Sequence, residues 1–146
     1  MIIQLFFITI NSLVYSFLTY KVLKKEQIFE SYEREIKHNF RKNLSSLFRI
    51  VFFEDAFCNV YLKEFFLFVG ISDFITILLI RSLFIMAHFY NYRFTKSKKH
   101  VILQIYHAIF LSYFVIGENP LTTFVLHLSN NIINIFMQYY LVKKNI

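Results

Sequence analysis

The sequence predicts an all-α fold, a polytopic integral membrane protein of about five transmembrane helices. Three observations carry that expectation. The chain has 146 residues, of which 57% are hydrophobic and 21% aromatic, including 20 Phe and 10 Tyr. A single domain of this length has too much surface for its volume to hide so much apolar side chain from water. Only 2 Gly and 1 Pro interrupt it, so long helices meet few breakers. Most of the charged residues fall between the apolar runs, the pattern of a chain that passes alternately through lipid and water.

Five apolar runs approach the length needed to cross about 30 Å of hydrocarbon as helix. The first is Ile2 to Tyr20. The second is Leu47 to Phe68, which carries Glu54, Asp55, Lys63 and Glu64. The third is Asp73 to Tyr92, with Arg81 and His88. The fourth is Val101 to Ile116, with His107. The fifth is Leu121 to Val142, with His127, Asn130, Asn131 and Asn134. Pro120 suits the first turn of the last helix, where its missing N–H leaves no bond unmade.

The connections are of two kinds. Lys21 to Arg49 is rich in Lys, Arg and Glu and reads as a solvated amphipathic helix, with Glu30–Arg34 as an i,i+4 pair. Arg93 to His100 and the tail at Lys143-Lys144 are basic too. The turns Gly70-Ile71-Ser72-Asp73 and Gly117-Glu118-Asn119-Pro120 contain no basic residue. Loops with Lys and Arg stay on the cytoplasmic side. The N-terminus is therefore expected outside, the C-terminus in the cytoplasm, and five crossings satisfy every loop. His38 and His100 fall in the basic stretches and are expected in water.

This distribution accounts for the net charge of +7 without nucleic acid, for which no recognised motif is present. Met1 to Phe7 lacks the basic start of a signal peptide and is read as a retained span. Cys58 is the single cysteine. It has no partner for a disulfide or a zinc framework, and is expected to be a small buried hydrophobe.

Three polar clusters lie inside the apolar runs: Glu54-Asp55, His88, and His127-Leu128-Ser129-Asn130-Asn131. Ionisable groups at membrane depth are costly and mark functional sites. Glu54-Asp55, Phe84-x-x-x-His88 and His127-x-x-x-Asn131 resemble, in order and rough spacing, the three motifs of the CAAX protease and bacteriocin-processing (Abi) family of intramembrane glutamic endopeptidases. The resemblance covers about Leu47 to Val142. It makes residues 47–146 a four-helix core, and residues 1–46 an accessory transmembrane helix followed by the basic segment. Asp55 replaces the motif's second Glu, and Asn59 stands where the motif has Arg.

What the resemblance implies is a metal-independent endopeptidase acting on a peptide or lipidated peptide beside the membrane, in a bacterial cell membrane. Glu54 is the expected general base, His88 holds and orients the water, and His127 with Asn131 forms the oxyanion hole. Asp55 and Asn59 support the site, and Arg81 is a candidate substitute for the missing Arg, or else a structural partner of Glu64 or Asp55. No cofactor and no metal is implied, and no two of these residues have the His-x-x-x-His spacing of helix-borne zinc proteases. A non-catalytic immunity or interaction protein on the same scaffold is the alternative, and a structural subunit whose polar groups serve only helix packing is a third. Oligomeric state is left open.

Overall fold

The computed structural model describes residues 2–26, 29–90, 97–116 and 119–144, with backbone only at 87–90 and 115. All regular structure among them is helical. Helix α1 is Ile2–Leu23 and α2 is Phe29–Asp55; a π-helical segment, Ala56–Leu62, joins α2 to α3, Lys63–Phe68. Then follow α4, Asp73–Tyr90, α5, Lys98–Val115, and α6, Pro120–Lys144.

The elements end where local chemistry ends them. Gly70 adopts φ +85°. Its N–H bonds to the Leu67 carbonyl (3.0 Å), and that of Ile71 to Phe66 (2.9 Å). This is a Schellman closure of α3, in which glycine meets no Cβ penalty. The chain then reverses into α4, and Lys63 reaches Asp73 at 3.9 Å across the turn. Ser97 caps α5 by accepting from the His100 N–H (3.2 Å). Asn119 caps α6 by accepting from Thr122 (2.9 Å), with Pro120 as the first helical residue.

The long helices alternate in direction. Ser12 and Ser16 of α1 bond to Asn130 and Asn134 of α6, so α1 and α6 run parallel. In α2, Phe40 packs on Phe136 and Tyr139, and Phe52 on Phe124, so α2 is antiparallel to α6. Phe7 stacks on Phe114 and Tyr15 on His107, so α5 is antiparallel to α1. An apolar cluster of Ile8, Ile80, Phe84, Ala108, Leu111, Ile116 and Leu126 ties α1, α4, α5 and α6 together.

The distribution of side chains is inverted relative to a water-soluble bundle. Among the described residues, as many polar as apolar ones are buried, Asn11, His107, His127 and Asn130 among the polar. Large apolar side chains face outward on every long helix, for example Phe6, Phe53, Leu78, Ile109 and Phe136. Among the described residues, one helix, α1, is by itself long and apolar enough to cross a membrane, with a mean hydropathy of 1.7 over its best window.

Two features of the expected organisation change. The boundary at residue 46 falls inside α2, which runs on without a break from the basic segment into the site. The segment is not a free solvated helix: Phe29, Tyr32 and Ile36 pack against Tyr20, Leu141 and Val142, leaving Arg34, Lys37 and Arg41 exposed. Its i,i+4 ion pair is Glu33–Lys37 (2.5 Å). Helix α1 packs on α5 and α6.

Candidate active site

Adjacent residues on an α-helix point about 100° apart, and that separates the roles of Glu54 and Asp55 at the end of α2. Asp55 is buried against α6. Glu54 keeps 45% of its side-chain surface and lines a cavity of about 450 Å³ with Phe53, Phe57, Cys58, Leu83 and Phe84. Cys58 is half-buried there. The π-helical segment begins at the next residue, Ala56. Such an extra-wide turn rephases a helix and recurs at functional sites. Asn59, within it, is buried and donates to Asp55 Oδ1 at 3.4 Å.

His127 meets both carboxylates. Its Nδ1 lies 3.0 Å from Asp55 Oδ1, and its Nε2 lies 3.6 Å from Glu54 Oε2. The ring is 1% exposed, and the edge of Phe84 packs on it at 5.7 Å between centroids, 71° apart. A buried carboxylate is expensive unless paired, so Asp55 and His127 belong together. Asp55 accepts the Nδ1 proton, which fixes the tautomer and turns the Nε2 lone pair toward Glu54. The 3.6 Å gap is beyond direct hydrogen bonding and suits a water touching both atoms. On its far side, Asp55 Oδ2 is buried without a protein partner among the described residues. A second cavity, of about 430 Å³, is walled by Asp55, Phe48, Phe52, Leu121 and Phe124. An apolar space therefore lies on each side of the acidic pair.

The structure thus brings together Glu54, Asp55, Asn59, Phe84 and His127. It places two other expected residues elsewhere. Asn131 accepts from Asn130 Nδ2 at 3.0 Å and lines, with Tyr15 and His107, a cavity whose described lining does not include Glu54. The i,i+4 relation to His127 puts both residues on one side of α6, but the cavities on that side are distinct. Arg81 reaches the carbonyls of Ile116 (3.1 Å) and Tyr113 (3.4 Å), with its guanidinium over the Tyr113 ring at 5.3 Å. It neutralises the negative end of α5, and does not replace the motif Arg or pair with Glu64 or Asp55. The side chain of His88 lies outside the described residues. So do Arg93, Lys96, Gly117 and Glu118 of the connections.

A second polar group, of which the sequence suggests only His107 as a packing or polar interhelical contact, is an uncharged seam between α1, α5 and α6. Ser12 Oγ donates to Asn130 Oδ1 (2.6 Å) and Ser16 Oγ to Asn134 Oδ1 (2.9 Å). With its oxygen engaged by Ser16, Asn134 turns its NH₂ to His107 Nε2 (3.2 Å). Asn11 Nδ2 lies 2.8 Å from His107 Nδ1 on the other side of the ring, so an amide stands at each nitrogen and the neutral imidazole accepts from one of them. Tyr15 stacks on the same ring at 4.0 Å. The signal available beforehand was the four-residue spacing of Ser12-Ser16 and Asn130-Asn134, small and polar residues on facing stripes.

Among the described residues no three His, Cys, Asp or Glu side chains are grouped to hold a metal ion. Comparison with protein-family models, with curated proteins and with solved structures finds no match to this chain.

Proposed function

We propose that the chain is a polytopic membrane protein, N-terminus outside and C-terminus cytoplasmic. Glu54 and His127 jointly activate water in it to hydrolyse a peptide bond beside the membrane, as in the metal-independent CAAX/bacteriocin-processing type. The membrane reading is supported by the outward apolar side chains, the polar interior and the alternating helix directions. Contiguous exposed apolar surface on this scale marks an interaction with lipid or partner. The lipid bilayer is the partner that all five helices share.

The observation that carries the chemistry is the clamp on His127. Asp55 holds Nδ1 and leaves Nε2 facing the half-exposed Glu54 at a cavity wall. A water touching Glu54 Oε2 and His127 Nε2 loses its proton to Glu54 as its oxygen bonds to the scissile carbonyl carbon. The proton passes to the leaving nitrogen as the C–N bond breaks. One water is consumed, and a carboxylate and an amine are formed. His88, four residues after Phe84 on α4, is the candidate for a second hold on the water. The substrate is a peptide or lipidated peptide, its apolar groups seated in the two cavities beside Glu54 and Asp55.

Glu54→Gln, in membranes carrying a membrane-bound precursor peptide, is expected to lower cleavage about 10²–10⁴-fold, the range of a general base, with the thermal unfolding midpoint retained. Cleavage at the wild-type rate by Glu54→Gln would overturn the reading. The alternative, a non-catalytic immunity or interaction protein, draws on Asn59, whose amide sits on Asp55 in place of the motif's positive charge. Immunity that survives Glu54→Gln, in a chain that cleaves nothing, favours it.

A further inference from the structure

The uncharged seam borders a cavity of about 240 Å³. Its wall on α6 is Asn130, Asn131, Asn134 and Gln138, and α5 adds Gln104 and His107. Tyr15 of α1 adds a phenol, and Leu47, Leu111 and Ile135 supply the apolar part of the wall. No Asp, Glu, Lys or Arg lines it, so an ion entering would find no counter-charge. The carboxamides, the imidazole and the phenol offer both donors and acceptors. Gln104 Oε1 is buried with no protein partner among the described residues. At about 30 Å³ per molecule in the liquid, the space holds on the order of eight waters.

Its direction is as informative as its lining. Asn130 to Gln138 is eight residues of α6, about 12 Å at 1.5 Å per residue. The Gln138 end lies toward the basic terminus at Lys143-Lys144; the Asn130 end lies three residues, less than one turn, from His127. Ser12 and Ser16 orient the amides along that path.

We infer that this cavity is a hydrated conduit, entered from the Lys143-Lys144 end, that carries water along α6 to within one turn of His127, on a path separate from the cavity beside Glu54. The destination of the water rests on the hydrolytic reading above; the hydration of the cavity does not. Water is the one substrate that a peptidase inside a bilayer cannot take from its surroundings, and a path made of neutral amides delivers it without binding ions.

The test is cysteine accessibility in a Cys58→Ser background, in sealed vesicles, with a membrane-impermeant charged methanethiosulfonate. The reagent needs a hydrated thiolate, and a thiol facing lipid stays protonated. Gln138→Cys and Asn131→Cys are expected to react from the Lys143-Lys144 side at least about tenfold faster than Ile109→Cys, whose outward position faces lipid. Leu47→Phe, which narrows the cavity without removing a polar group, is expected to slow Asn131→Cys more than Gln138→Cys. Hydroxyl-radical labelling of the wild-type chain gives a readout free of folding defects: Tyr15, on the wall, labels well above Tyr20, which is fully buried elsewhere. Asn131→Cys as slow as Ile109→Cys, or Tyr15 labelled no more than Tyr20, would overturn the conduit. A reactive cavity in a chain that cleaves nothing leaves the conduit standing and removes the peptidase; active cleavage with an unreactive cavity does the reverse.

Discussion

Two buried histidines on different helices, His107 on α5 and His127 on α6, teach how the bundle divides its polar groups. His107 is flanked at both nitrogens by uncharged amides, and the set packs three helices. His127 is held at one nitrogen by a buried carboxylate and faces a half-exposed carboxylate with the other. A neutral network needs no further component to be satisfied. A pair of acids around one imidazole does: its second nitrogen and the Glu54 carboxylate both have capacity for a shared proton or water. Burial and residue type are the same in the two places; the charge and openness of the neighbours distinguish a helix joint from a reactive site.

The comparison breaks first at Asp55. Asp55→Asn keeps the shape, but it removes the negative charge that holds the Nδ1 proton of His127. The expected result is loss of precursor cleavage of about 10²–10⁴-fold, with the helical content by circular dichroism unchanged. A fully active Asp55→Asn would show that the carboxylate serves packing alone and that the two histidines are alike.

Next in size is the seam. Ser12→Ala with Ser16→Ala leaves the buried oxygens of Asn130 and Asn134 each without its donor. An orphaned buried acceptor costs about 1–3 kcal/mol, tempered by the average of about 0.6 kcal/mol per interhelical bond measured in a membrane protein. The unfolding midpoint in detergent is expected to fall, while cleavage per folded molecule changes far less than in Asp55→Asn. A collapse of cleavage with stability intact would move the seam into the chemistry.

These two regions were not equally legible. Four of the five apolar runs were, because they are bounded by basic residues, Gly70 or Pro120; the second was not, since its helix begins at Phe29 and passes through a π-helical segment. Motif order set Glu54, His88, His127 and Asn131 in one pocket; the structure puts Glu54 and Asp55 beside His127, with Asn131 on another cavity and the His88 side chain outside the described residues. The roles of the two acids were not legible, because the 100° step between neighbours decides which acid is buried, and the π-helical turn at Ala56 resets the helical phase that spacing assumes. Asn131 misled for the same reason: four residues put it on the side of His127, but helix packing divides that side into two cavities. Arg81 was read against carboxylates, and carbonyls at the end of α5 competed successfully. The seam stayed hidden because its Ser and Asn residues are individually unremarkable, and only the facing of α1 on α6 pairs them.

The smallest expected effect tests a third histidine. His100, expected in water, is instead buried in the first turn of α5. Its N–H caps onto Ser97, whose hydroxyl donates to Glu26 at 2.8 Å. Burial holds the imidazole below its ordinary value, with the Glu26 carboxylate pulling in the opposite direction. The folded state therefore favours the neutral ring, and the unfolded chain takes up a proton first, near pH 6.5. Stability from this group is present above about pH 6.5 and is lost as pH falls through the lower folded value. The unfolding midpoint in detergent is expected to drop more steeply on acidification below that point in wild type than in His100→Gln, which cannot charge. Equal slopes would mean that His100 takes its proton in the folded bundle as readily as in water. The contrast with the two deeper histidines would then be one of depth alone.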